Sequence, residues 1–331
     1  MLQYDLSHQA AVLSSIDQFI DFSMNFDLSN NELITDLNQL IPAFKAFDQL
    51  DLAYSAKIQI FQKLIDLIDE CRGTNTIHDY LIQLSSQQVK QLRELMRSER
   101  SLILGEIRRF RQQEHDNSVS FHDYLDKIFT HHYKVLVIRV DLGYRKVCMP
   151  QVDIRCFYCQ IKKLCKFMKD KNGIFNGLVG YGLALEQGRN RGYHAHLMLI
   201  YNGSKRQKDW YLADEVIKLW ERITSSMGSG LNINSGESKA QYARKGLLGI
   251  GMIERRDQQA VRNAQRVGEY LVRSEKIEQM LLAKPSRSRS FLKGGCLKKY
   301  HSKSKKPTAS SNRNQEAGIW LLEDTNSLRI L

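Results

Sequence analysis

The sequence predicts an α+β fold, an antiparallel sheet with flanking helices, preceded by an all-α N-terminal region. Three observations predict it. Apolar residues recur at helical spacing through the first 125 residues. From residue 134 the chain turns to runs rich in β-branched residues. Those runs then alternate with amphipathic stretches in the order β-α-β-β-α-β-α, the pattern of helices packed on an antiparallel sheet.

In the first region Leu33, Leu37, Leu40 and Ile41 share one helical face, as do Ile58, Phe61, Leu64, Ile65 and Ile68. Cys71-Arg72-Gly73 breaks the pattern. A long polar helix is expected over 86–114, with Leu92, Leu95, Leu102, Leu104 and Ile107 in its apolar stripe. No motif here carries chemistry, so residues 1–125 read as a helical accessory region.

KVLVIRVDLGY, from Lys134, reads as a buried strand. A helix follows over Cys156–Met168, with Ile154, Phe157, Ile161, Leu164 and Met168 on one face. LVGYGLALE and GYHAHLMLIY read as two strands, and the glycines and asparagine between Gln187 and Gly192 favour a hairpin. A helix over 207–226 is centred on Trp210, Val216, Leu219, Trp220 and Ile223. GLLGIGMIE reads as a short strand, and 257–282 as a helix containing Tyr270. The domain expected is therefore 126–284, followed by a basic flexible tail over 285–331. Pro285–Pro307 holds 8 Lys or Arg and no acid, which suits phosphate contacts.

Composition narrows the function. With 331 residues and 42% hydrophobic content the chain can bury one large core or two ordinary ones. No apolar run is long enough to span a bilayer, and MLQYDLSHQA lacks the features of a secretion signal. The expectation is a soluble cytoplasmic protein with no membrane partner. The 6 cysteines are then reduced thiols. CFYC at 156–159 raises a zinc site as an alternative, but the paired CxxC spacing of structural zinc is missing, and cysteines on an amphipathic helix serve as small packing residues. The net charge of +13 is divided: residues 1–80 carry 12 acids and 4 bases, a net of −8, and the remainder +21. A basic segment of this size suits nucleic acid, against the competing reading of a solvated basic face.

The segment Glu186-Gln-Gly-Arg-Asn-Arg-Gly-Tyr-His194-Ala-His196 carries the chemistry. On a strand His194 and His196 share a face, with small Ala195 on the other. If the hairpin pairs 186 near 194, Glu186 joins them as a two-histidine, one-carboxylate site with open positions. Such ligands suit a divalent metal, Mn²⁺ or Mg²⁺. Together with the basic charge, phosphodiester cleavage fits, with water or a side chain as nucleophile. Tyr270 stands on a helix with Arg273 on the same face and Lys276 beyond. The competing reading of Tyr270 is a core tyrosine. Asp141 and Tyr144, at the end of the first strand, are secondary candidates.

VLVIRVDLGY, YGLALEQGRNRGYHAHLMLIYNGS, GLLGIGMIERRD, EYLVRSEK and SRSRSFLKGG together resemble the YagK/YfjJ C-terminal domain family, the inovirus-type replication proteins. More distantly, the order resembles HUH endonucleases, in which a His-hydrophobic-His strand precedes a tyrosine-bearing helix. The resemblance covers about half the chain, residues 134 to 295, and His194-Ala195-His196 is its most specific part. It implies that His194 and His196 bind the metal, that Glu186 is a third ligand or orients one, and that Tyr270 attacks the phosphate. The family-type YxxK has Arg273 in place of lysine here, with Lys276 as a substitute. Tyr242-Ala-Arg-Lys245 fits YxxK literally and offers a second nucleophile. Arg189, Arg191, Arg244, Lys245 and Arg255 would hold the DNA backbone.

The function implied is nicking and rejoining of single-stranded DNA, or of a locally melted origin. It would start rolling-circle replication of a phage or mobile element, with a host helicase as a further partner. Two alternatives stay open: a DNA-binding regulator that keeps the fold without catalysis, and a metal-dependent hydrolase that uses water.

Overall fold

The computed structural model of the chain describes residues 4–26, 28–49, 51–272 and 277–294. They belong to one compact unit, Met1–Leu297. It opens with helices α1 (Gln9–Asn25) and α2 (Asn30–Lys45). Strand β1 (Leu52–Tyr54) then precedes α3 (Ala56–Cys71), α4 (Ile77–Ile82), α5 (Ser86–Ser98) and α6 (Arg100–His131). The apolar stripes expected on α2 and α3 are buried. Ser29 and Ser85 start α2 and α5 with reciprocal capping boxes to Glu32 and Gln88. Each box satisfies two backbone N–H groups that a helix start otherwise leaves without partners.

The single helix expected over 86–114 is two, α5 and α6, parted at Glu99 (φ −86°, ψ 6°). Helix α6 then crosses the boundary expected at residue 125. Its last part carries Phe121, Leu125, Ile128 and Phe129, all buried, and these residues hold it on the sheet.

The strands expected first are present as β2 (Lys134–Tyr144), β3 (Leu178–Gly188) and β4 (Gly192–Asn202). The expected helices are α7 (Ile154–Asp170), whose apolar face is buried, and α8 (Asp209–Ile223). Strand β1 was not expected, nor were β5 (Gly228–Asn232), α9 (Gly236–Arg244) and β8 (Phe291–Gly294). Of the GLLGIGMIE run, expected as a strand, only the last four residues form one, β6 (Gly251–Glu254). All pairings are antiparallel, in the order β5-β2-β4-β3-β8, and β6 pairs with β2 on the same edge as β5.

Where β5 ends and β6 has not begun, β2 would be left with bare backbone groups. Asn234, fully buried, fills that gap. Its Oδ1 accepts from Arg139 N at 2.8 Å, and its Nδ2 donates to Val137 O at 3.0 Å. One side-chain amide thus replaces a residue of strand pairing.

Alternation along the strands divides the core. Leu136, Ile138, Val140, Leu142, Leu183, Leu185, Leu197 and Leu199 join α7, α8 and the N-terminal helices in the larger core. Val135, Val137, Ala184, Met198 and Ile200 face the other way, onto α6 and α10 (Gln258–Leu271). Helix α6 lies close because β3 carries Gly180 and Gly182. A Cβ there would fall 2.4 Å from Ile128 Cδ1 and 2.3 Å from Phe121 Cζ.

The helix expected over 257–282 ends at Leu271. Leu281, Leu282 and Ala283 are buried, and β7 (Ala283–Pro285) pairs with β1, so the chain leaves helix to close a two-stranded sheet. The tail expected from 285 is in the fold through Gly294, because β8 pairs with β3. The rest of that basic segment lies outside the described residues. Among the described residues no helix is long and apolar enough to cross a membrane.

Candidate metal centre

Glu186, His194 and His196 come together on the sheet face that looks toward α6 and α10. The β3–β4 hairpin sets this. Gly188 pairs with Gly192 across a three-residue loop, and Gly192 takes φ +59°, which closes such a loop without Cβ strain. The register then places Glu186 opposite His194 and Ala184 opposite His196. All three side chains are buried, at 6%, 2% and 5% exposure, although each is polar. Their ligand atoms lie within 4.8 Å of one another, so the group can hold a metal ion.

Hydrogen bonding behind the ligands defines their state. His194 Nδ1 is 3.1 Å from Gly192 O, and a carbonyl cannot donate, so Nδ1 carries the proton. His196 Nδ1 donates to Asp141 Oδ1 at 2.6 Å. In the neutral imidazoles both Nε2 atoms therefore present lone pairs. Both face Glu186 Oε2, at 3.5 Å from His194 and 3.2 Å from His196. Three acceptors that converge in a buried site repel one another unless a cation or a proton lies among them. This donor set fits a divalent ion, with one imidazole anchored by a carboxylate and one by a backbone carbonyl.

The charges agree. Burial lowers the basicity of His196, and the bonds to Asp141 and Glu186 outweigh it and hold the group above the ordinary histidine value. Burial would raise the Asp141 carboxyl, but the His196 hydrogen bond and the nearby Arg139 and Arg191 hold it below the usual carboxylate range. Asp141, one of two secondary candidates, is thus the group that orients His196.

Arg139 is a residue the sequence reading missed. It lies two positions before Asp141 on β2 and so shares its face, at 8% exposure. Its Nη2 is 3.6 Å from Asp141 Oδ1, and its guanidinium carbon stands 4.8 Å from the centre of the Tyr270 ring. Its buried Nε has no hydrogen-bond partner. The signal was present in VLVIRVDLGY: two opposite charges at alternate positions of an otherwise apolar strand.

Comparison with protein-family models, curated proteins and solved structures returns no match.

Tyr270 stands near the end of α10, 40% exposed, on the helix that packs over α6, β3 and β6. It therefore overlies the face that carries the three ligands, and Arg139 links it to Asp141. Arg273 and Lys276 lie outside the described residues. Tyr242, on α9, packs as a half-buried ring against the core beneath α10. Tyr144 faces the opposite side of the sheet. It is buried between Phe157 and Trp220, with its hydroxyl on Gln160, and burial pushes its pKa well up. It is a core residue.

The basic candidates are distributed around the site. Arg189 and Arg191 lie in the hairpin loop, and Arg191 Nη2 is 4.0 Å from Asp141 Oδ2. Arg244 and Lys245 are exposed at the end of α9. Arg255 follows β6 and donates to Thr130 O at 2.8 Å. Cys148, Cys156, Cys159 and Cys165 are free thiols. Among the described residues the structure gathers no cysteine-containing metal group, and the zinc alternative has no site there.

Proposed function

We propose that this protein nicks and rejoins single-stranded DNA through Tyr270, supported by a divalent metal, Mn²⁺ or Mg²⁺, held by His194, His196 and Glu186. The proposal includes kinship with the inovirus-type replication proteins and, at greater distance, with HUH endonucleases. Single-stranded DNA or a melted origin would be the substrate, and rolling-circle initiation in a cytoplasm the setting. The observation that carries it is the convergence of three buried ligands with a tyrosine-bearing helix over one sheet face, bridged by a buried arginine.

A divalent cation held by Glu186, His194 and His196 would supply positive charge to polarise a non-bridging phosphate oxygen. Asp141 holds the His196 ring with its Nε2 toward the centre. Gly192 O does the same for His194. Arg139 supports the Tyr270 ring from below. The phenolic oxygen of Tyr270 attacks phosphorus, and the bond from phosphorus to the 3′-oxygen breaks. The phenolic proton passes to solvent and the departing oxygen takes one up. A 5′-phosphotyrosine and a free 3′-hydroxyl result. Attack of a 3′-hydroxyl on that phosphotyrosine rejoins the strand and restores the phenol. Arg189, Arg191, Arg244, Lys245 and Arg255 hold the backbone as it enters.

Incubation with Mn²⁺ and end-labelled single strands tests the reading. Site-specific cleavage is expected, lost with a chelator and in His194→Ala. Cleavage that persists in His194→Ala would remove the metal centre from the reaction.

A further inference from the structure

A cavity of about 250 Å³ opens beside the metal centre, and Glu186 forms part of its wall. Its other walls come from segments far apart in the sequence. Helix α6 supplies Glu106, Arg109, Phe110 and Gln113. The segment after α10 supplies Gln279, Met280, Lys284 and Phe291. Whatever occupies this space lies against the residue whose carboxylate faces both histidines.

The lining is specific about chemistry. Phe110, Met280 and Phe291 offer apolar and aromatic surface suited to a flat ring. Gln113 and Gln279 each carry both donor and acceptor groups, which suits the edge of a base. Glu106 and Glu114, the latter buried, disfavour a phosphate in the interior. Cations are present on the exposed Arg109 and half-buried Lys284, where a phosphate outside the pocket can be met. The volume lies below the usual range of ligand pockets, about 300–1,000 Å³, which excludes a duplex and leaves room for a single base.

We infer that this cavity receives one unpaired nucleobase of the substrate strand, next to the phosphate that is cut, and that α6 makes the helical region part of the strand-binding surface. The inference rests on the nicking reading for its substrate. It gives that region a role that its lack of motifs left without an assignment. A base seated here would fix which phosphate reaches the metal centre, so the cleft would set the position of the cut.

The test uses the full chain carrying Tyr270→Phe, so that the strand stays intact, with Mn²⁺ present. Single strands carry 4-thiothymidine at successive positions around the cut phosphate, and photo-crosslinks are mapped by mass spectrometry. One position is expected to crosslink within 100–114 or 277–294. In the otherwise unaltered chain, an abasic residue at that position should weaken strand binding roughly 5- to 150-fold, the range of one base stacked on an aromatic group. Phe110→Ala should cause a loss of the same order, without changing Mn²⁺ binding, and the abasic strand should cost it little more. The abasic arm also serves if Phe110→Ala fails to fold. Crosslinks that all map elsewhere, on a strand that the unaltered chain still cuts, would overturn the cleft and leave nicking intact. Absence of both strand binding and cutting would overturn both.

Discussion

Asp141→Asn isolates the hydrogen bond behind the metal centre. The asparagine keeps the size of the side chain, and its Oδ1 can still accept from His196 Nδ1. It removes the charge that makes the present bond short, at 2.6 Å. Charge-assisted hydrogen bonds are about twice as strong as neutral ones. Loss of a carboxylate behind a ligating histidine commonly weakens metal affinity about 10- to 100-fold, or about 1.4–2.7 kcal/mol. The lower half of that range is expected here, because a neutral acceptor remains. Removing Asp141 also strips a counter-charge from Arg139, 3.6 Å away, so part of the effect should be a looser Tyr270 helix rather than a weaker ligand. Calorimetric titration with Mn²⁺ at one pH, for the unaltered chain, Asp141→Asn and His196→Ala, separates these. The expected order is tight, intermediate and weakest. Equal affinity in the unaltered chain and Asp141→Asn would refute the role given to Asp141.

Three further outcomes follow from the same geometry. Mn²⁺ at a hundredfold excess over its dissociation constant should stabilise the fold by about 2.7 kcal/mol in thermal unfolding, and Glu186→Gln should remove most of that shift. No metal-dependent shift in the unaltered chain would deny the site. Asn234→Ala leaves Val137 O and Arg139 N without partners in a buried edge and should cost about 2–4 kcal/mol in denaturant unfolding; a change below 1 kcal/mol would mean that water serves that gap as well. His8 caps α1 by accepting Ala11 N at Nδ1, 3.2 Å away, and burial holds its pKa below the ordinary 6.5. The unfolded chain therefore binds this proton first as the pH falls. The cap's contribution is full above 6.5 and fades below it, by about 1 kcal/mol in all. His8→Asn should flatten the stability profile between pH 7 and 5, and an unchanged slope would contradict this.

The ligand set was legible because its two determinants are local. A strand period of two puts His194 and His196 on one face, and a glycine-bounded loop fixes which residue stands opposite. Asp141 and Arg139 depend on a different pairing, that of β2 with β4, which puts Asp141 opposite His196. No local pattern states which strand will be the neighbour. For the same reason β5 and β8 escaped notice. GSGLN and FLKG are short edge strands whose extended form depends on the partner edge rather than on their own propensity. Helix α6 shows the reverse problem. The stripe of Phe121, Leu125 and Ile128 continues the helical period without a break, so a boundary at 125 had only composition behind it. Tyr270 could be placed on a helix, but its ring over Arg139 is a contact between distant segments that only the fold reveals.

The most direct test of the account is covalent capture. The protein is incubated with Mn²⁺ and single strands from its own genomic neighbourhood, denatured in SDS, and the attached peptide identified by mass spectrometry. The account predicts a DNA adduct on Tyr270 that is absent from His194→Ala and His196→Ala. An adduct on Tyr242, or cleavage with no adduct, would contradict the nucleophile assigned here. Tight binding with neither cleavage nor adduct would contradict nicking itself and favour a DNA-binding regulator.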